Sequence, residues 1–312
     1  MRLLLVGLLF AAATLPGQIK VGMIGLDTSH VIAFTKVLND PQHPDHVPGA
    51  KVVAAYKGGS PDLPSSRDRI DGFTKTLVEE WGVELVDDIP ALCKKVDAIL
   101  LESVDGRVHL EQVKPVFEAG LPVFIDKPLA AAWADVKEIA RLSEKHSTPW
   151  WSASSLRYSP AVRETAIEGL TGAVTWGPAP IDATHDLDLS WYGIHPVELL
   201  FAVMGPGVGS VERSYTDGAD VIVGHWKDGR MGVVRTIRDG KREYGVTAFG
   251  AKEVKVSTNS GANYSGLLGD AVEFFKTGKP PVDNAETVEI FAFLEAARIS
   301  REEGGARVSL PR

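Results

Sequence analysis

From Ile19 onward, short apolar runs alternate with segments whose apolar residues recur at helical spacing. Lys20 to Gly25 reads as a buried strand, and Val31, Phe34 and Leu38 after it fall on one face of a helix. Lys51 to Tyr56 is a second strand. Lys57 to Asp71 reads as a polar loop broken by Gly58-Gly59, Pro61 and Pro64. Phe73 to Trp81 is helical, Glu84 to Val86 a strand, Asp97 to Glu102 a strand, Arg107 to Ala119 a helix and Leu121 to Ile125 a strand. Ala131 to Lys145 is helical again and Pro149 to Ser152 begins a strand. Strands and helices taking turns at this spacing predict a doubly wound parallel sheet with right-handed crossovers.

The pattern changes near residue 150. Strand patterns then follow one another: Ala173 to Trp176, Ser210 to Thr216, Asp220 to His225, Met231 to Ile237, Tyr244 to Phe249 and Glu253 to Ser257. Turn signals separate them, among them Lys227-Asp228-Gly229 and Asp239-Gly240, which predicts a mainly antiparallel sheet. Helices fit at Pro160 to Gly169, His195 to Met204, Leu267 to Thr277 and Ala285 to Glu303. The expected fold is α/β: a Rossmann-type doubly wound parallel sheet over 18–150 and an α+β domain with a mainly antiparallel sheet over 151–312.

Residues 1–17 differ from the rest. Met1-Arg2, the apolar run Leu3 to Ala13 and then Thr14-Leu15-Pro16-Gly17 have the order of a secretory signal, too short to span a bilayer. The chain is therefore expected to be exported, to a periplasm or outside the cell, or to be cytoplasmic if that run is only an apolar terminus. No cysteine follows the run, so no lipoprotein anchor is expected. The 312-residue chain carries a net charge of −8, which disfavours nucleic acid as a partner. Cys93 is the single cysteine, so no internal disulfide can form.

The first strand runs into Gly25-Leu26-Asp27-Thr28-Ser29-His30, where a G-x-G-x-x-G phosphate loop belongs. Gly25 fits the first glycine. Asp27 stands at the second and puts a carboxylate where a pyrophosphate should approach. Asp27 or Thr28 could instead cap the helix, and His30 could be a packed helix residue or part of the site. No acid for the ribose hydroxyls follows the second strand. Tyr56-Lys57-Gly58-Gly59-Ser60 stands there, with Lys57 and Ser60 suited to a 2′-phosphate or simply to a solvated loop.

The fourth strand ends in Glu102-Ser103-Val104-Asp105, with His109 in the next helix, and the fifth ends in Asp126-Lys127-Pro128. At these residues the chain resembles the glucose–fructose oxidoreductase / inositol dehydrogenase (Gfo/Idh/MocA) family. That family ends this strand in Glu-Lys-Pro, often with a cis proline. Ser155-Leu156-Arg157-Tyr158-Ser159-Pro160 is similar to its arginine segment, and Trp191-Tyr192-Gly193-Ile194-His195 to its Asp-x-Gly-x-His motif. The family's aspartate, four residues before the histidine, is here Trp191. His185, Asp186 and Asp188 lie upstream and could replace it, or could be a polar loop.

The resemblance implies an NAD- or NADP-dependent oxidoreductase acting on a sugar, polyol or related carbinol, working as a homo-oligomer. Lys127, His195 and Asp126 are then the catalytic candidates. Gly25, Asp27, Thr28, Ser29, His30, Lys57, Glu102, His109 and Pro128 are the cofactor-binding ones, and Arg157, His185, Asp186, Asp188 and Tyr192 would bind substrate. Oxidising a carbinol needs a base for the hydroxyl proton and a cation near the developing alkoxide. His195 suits the first and Lys127 the second. Two bland roles stand beside these: Lys127 in a salt bridge to Asp126 or Glu102, and His195 packed in a core. Two other functions also remain: a lyase, hydratase or epimerase on the same fold, or an exported sugar-binding protein. Acids and histidines are plentiful, but none forms a compact metal motif, so the signal for a metal is weak and no ligand set is assigned.

Overall fold

The computed structural model describes residues 17–312. Most of the expected leader, residues 1–16, lies outside the described residues. The first layer runs β1 (Ile19–Ile24), α1 (His30–Asn39), β2 (Ala50–Tyr56), α2 (Pro64–Arg67), α3 (Ile70–Glu79) and β3 (Glu84–Val86). It continues with α4 (Ile89–Cys93), β4 (Ala98–Leu101), α5 (His109–Glu118), β5 (Val123–Ile125), α6 (Trp133–His146) and β6 (Trp150–Trp151). All six strands are parallel, in the order β3-β2-β1-β4-β5-β6. The order reverses between β1 and β4, and sheets of this kind bind ligands outside the carboxyl ends of the strands at such a point.

The second layer begins with a short 3-10 turn, Ser155–Tyr158, and α7 (Pro160–Glu164). Then come β7 (Leu170–Pro178), α8 (Ile194–Met204), β8 (Val208–Thr216), β9 (Ala219–Trp226), β10 (Met231–Ile237), β11 (Gly245–Gly250) and β12 (Val254–Ser257). The chain ends with α9 (Tyr264–Thr277), α10 (Asn284–Glu302) and β13 (Val308–Ser309). The seven strands lie in the order β12-β11-β7-β10-β9-β8-β13. The sheet is antiparallel except where β7 and β10 pair in parallel. α8 packs on its inner face, where the Thr175 hydroxyl donates to the Pro196 carbonyl at 2.7 Å. Met231, Val254 and Val256 are exposed.

Several local expectations need correcting. The loop over 57–71 contains α2, because Pro64 starts a helical turn that buries Ser66. α4 and β13 were not foreseen; each is five residues or fewer, too short to show a period. The helix expected to reach Gly169 ends at Glu164. The core packed on the first sheet is also not built from the first half of the chain alone. α9 returns to it, and Leu267, Leu268, Ala271, Val272 and Phe274 share a core with Val21, Phe34, Leu38 and Trp151. That return holds the loop before α9 against the carboxyl end of the first sheet. No helix among the described residues is long and apolar enough to cross a membrane.

Candidate active site

A cavity of about 470 Å³ opens at the carboxyl ends of β1, β4 and β5. Thr28, Ser29, His30, Val104 and Lys127 line it from the first sheet, and Trp191, Tyr192, His195 and Tyr244 from the second half of the chain. Its size suits a small ligand. Lys127 follows the end of β5, and the Lys127–Pro128 peptide bond is cis. Among the described residues Lys127 has no ion pair, so the expected bland role as a salt bridge to Asp126 or Glu102 is not realised. Its ammonium lies 5.8 Å from the centre of the Tyr192 ring, a distance at which ring and cation attract.

His195 sits in the first turn of α8, beside Tyr192 and Tyr244, with ring centres 5.6 and 5.9 Å away. Its Nδ1 is 2.7 Å from the Ser154 hydroxyl. Ser154 is therefore the hydrogen-bond partner of His195, and none of His185, Asp186 and Asp188 bonds to it. Burial holds the His195 imidazole well below its ordinary value, and the Lys127 charge adds to the effect. His195 is thus neutral at pH 7, as a proton acceptor must be.

Behind Lys127 lies a buried group of three. His30 Nδ1 is 2.6 Å from Asp126 Oδ2 and 3.9 Å from Glu102 Oε2. Burial would raise the Asp126 carboxyl, but the neighbouring His30 and Lys127 charges outweigh it and lower it. Glu102 is pushed well up, first by burial and then by Asp126. The His30 ring stacks on Phe34 at 5.0 Å and meets Tyr264 edge-on at 5.4 Å. His30 is therefore both packed and part of the site.

The loop after β1 is closed differently from a phosphate loop. Gly25 has φ +81°, and a Cβ there would lie 2.1 Å from the Ser103 hydroxyl, so glycine is required. Asp27 is fully buried. Its Oδ2 accepts from the Ser66 hydroxyl at 2.6 Å and its Oδ1 from the Val104 amide at 2.9 Å. It neither caps α1 nor faces an anion; it ties three loops together. Thr28 Oγ1 accepts from the His30 amide at 3.2 Å.

Other expected site residues lie elsewhere. Lys57 is exposed and pairs with Asp71 at 2.6 Å. His109 is buried, with its ring nitrogens 2.8 and 3.2 Å from the Ser103 and Leu129 carbonyls, and so pins two strand-end loops. Pro128 packs against Gly106. Arg157 is bound to Glu198 at 3.1 Å and Glu286 at 2.6 Å, which joins the 3-10 turn to α8 and α10. His185 lies 3.2 Å from the Ser190 hydroxyl and 3.6 Å from Asp105. Asp188 pairs with Arg213 and Arg301 at 2.9 and 2.6 Å, and Asp186 is exposed. Sequence reasoning missed Ser154, Ser65, Arg69, Tyr244 and Tyr264. Only the fold brings the last four to the cavity and Ser154 to His195, and none sits in a local motif.

Residues 19–153 match a family described as "Oxidoreductase family, NAD-binding Rossmann fold" (GFO_IDH_MocA). These residues are thus similar to the NAD-binding domain of the Gfo/Idh/MocA family. The Salmonella typhimurium protein YceM, an oxidoreductase by name, is 27% identical over 88 residues, 28% of this chain and 28% of YceM. The match thus spans little more than a quarter of that relative's length. Among solved structures, myo-inositol 2-dehydrogenase from Lactobacillus plantarum superposes with a TM-score of 0.74 at 17% identity, covering 95% of this chain and 100% of that one. An oxidoreductase from Thermotoga maritima gives 0.74 at 16% identity, covering 94% and 99%. Apo scyllo-inositol dehydrogenase from Lactobacillus casei gives 0.73 at 15% identity, covering 94% and 98%. At these identities the superpositions show a shared two-sheet fold.

The cavity has room for the nicotinamide and pyrophosphate end of a dinucleotide. Thr28, Ser29, Ser65 and Arg69 line the side nearest the start of α1, and Val104 and Lys127 line the floor. The adenosine end is served less well. Past the end of β2, Leu63 and Ser66 are buried under the α2 segment, and Ser66 is bonded to Asp27.

Proposed function

We propose that the protein is a nicotinamide-dependent oxidoreductase acting on a carbinol of sugar or polyol size. The observation that carries this reading is the meeting of Lys127 and His195 at one cavity at the carboxyl end of the parallel sheet. A His195 Nδ1–H donating to Ser154 leaves Nε2 free to take the proton of a substrate hydroxyl. Lys127 stabilises the oxygen as negative charge develops on it. Thr28, Ser29, Ser65 and Arg69 would hold the pyrophosphate, and Val104 with Lys127 would bound the nicotinamide end. When bound, the cofactor supplies the two-electron acceptor. Trp191, Tyr192 and Tyr244 offer apolar faces of the kind that pack on sugar rings.

The test is calorimetric titration of NADH and NADPH into the purified protein, followed by a screen of inositols and sugars for oxidation. Saturable binding of one cofactor and turnover of at least one polyol are expected. Absence of both would leave the second reading, a lyase or epimerase using the same Lys127–His195 pair. The covered path past β2 favours that reading.

His195 also sets a pH dependence. Its depressed value means that lowering the pH through 6.5 leaves it neutral. The acid limb of kcat/KM, which reports the free enzyme, is therefore expected below the ordinary imidazole range. A limb centred at or above 6.5 would assign the essential base to another group.

A further inference from the structure

We propose that His30, Glu102 and Asp126 form a binding site for one divalent transition-metal ion of the Zn2+ class, with an open coordination position toward the cavity. The proposal rests on side-chain placement and does not depend on the oxidoreductase reading.

One ligand atom from each of the three residues lies within 4.8 Å of the other two. Bonds of about 2.1 Å to nitrogen and carboxylate oxygen put neighbouring ligand atoms about 3 Å apart. The observed separations of 2.6 and 3.9 Å bracket that value, so shifts under about 1 Å would suffice. One imidazole with two carboxylates suits such an ion, and three protein ligands leave a fourth position vacant. His30 lines the cavity, while Glu102 and Asp126 lie behind it. The vacant position therefore faces the ligand space.

Glu102 supplies the independent sign. It is fully buried, and neither carboxylate oxygen has a hydrogen-bond partner. The other buried carboxylates are satisfied: Asp27 by Ser66 and Val104, Glu198 by Ser154 and Arg157, Asp220 by Arg213. A buried carboxylate with no partner is costly and uncommon. The Lys127 charge favours both carboxylates from a distance, but Lys127 makes no ion pair with either among the described residues, so the Glu102 oxygens stay without a partner. A bound cation would satisfy Glu102 and relieve its repulsion with Asp126. The proposal also accounts for a departure from the phosphate-loop pattern: His30 stands where the third glycine would, and a glycine there would remove the nitrogen ligand.

The test uses tag-free full-length protein stripped with EDTA and titrated with Zn2+ by calorimetry. Mn2+ serves as a second probe, read by electron paramagnetic resonance. One site per chain is expected. Glu102→Gln and His30→Gln should each weaken Zn2+ binding at least about tenfold, the lower end of what even ligand-supporting residues contribute. Melting adds a readout that needs no turnover. In EDTA, Glu102→Gln should melt at or above wild type, because it removes an unpartnered buried acid. In Zn2+, wild type should rise and the variant should not. Wild type that binds neither ion overturns the proposal, as does binding unchanged in both variants. Should His30→Gln fail to fold, Glu102→Gln decides alone.

Discussion

Replacing Lys127 by Met is expected to reduce turnover by at least about a hundredfold while leaving the fold intact, the usual scale for a lost acid–base or oxyanion group. The expectation of an intact fold comes from geometry. Lys127 is half-buried at the end of β5, lines the cavity and has no ion pair among the described residues. Removing its charge therefore breaks no ion pair. Met keeps the length of the stem and its packing against Tyr192, so stability should change by no more than about 1 kcal/mol. If Lys127 acts only on the developing alkoxide, kcat and kcat/KM should fall together. Near-normal turnover with a substrate found in the screen would remove Lys127 from the chemistry. A rise in KM alone would make it a binding residue.

Much of this architecture could be read from the chain, because its signals are local. Val21 to Ile24 is an apolar run that the fold buries completely between β2 and β4. Met231–Ile237 alternates, and the sheet buries every second residue. Lys127 and His195 were legible because each sits in a short motif at the end or start of an element. What could not be read depends on contacts between distant segments. The parallel pairing of β7 with β10 leaves no mark in either strand. The return of α9 to the first sheet looks, in sequence, like any amphipathic helix. Arg157 and Asp188 resembled ligand-binding groups because charge in a loop says nothing about its partner, and each proved to be neutralised by the protein itself. Ser154 could not be named as the partner of His195, because 41 residues separate them and a serine has no distinctive neighbourhood.

Asp27 shows the same limit most sharply, and its removal should have a large effect on stability. In the phosphate-loop frame its carboxylate is an obstacle to an anion, so removing it would tighten dinucleotide binding and leave the fold alone. The structure implies the reverse. Asp27 is fully buried and accepts from the Ser66 hydroxyl and the Val104 amide, which joins the loop after β1 to α2 and to the loop after β4. Asp27→Ala takes the acceptor from the half-buried Val104 amide and from the buried Ser66 hydroxyl, which keeps its bond from the Ser60 amide, and opens a small void. At about 1–3 kcal/mol for each of the two donors, the expected loss is about 2–6 kcal/mol. For a chain of this length that corresponds to a fall in melting temperature on the order of 3–10 °C. Asp27→Asn should lose less, since its carbonyl can still accept from Val104 and its amide can donate to the Ser66 oxygen. Ser66→Ala should fall between wild type and Asp27→Ala, because the Val104 bond survives. Coupling between positions 27 and 66, measured by a double-mutant cycle in denaturant, would establish the bond as structural. If Asp27→Ala instead melts like wild type and binds NADH more tightly, Asp27 is an electrostatic obstacle after all, and the α2 segment is not what keeps the adenosine path closed.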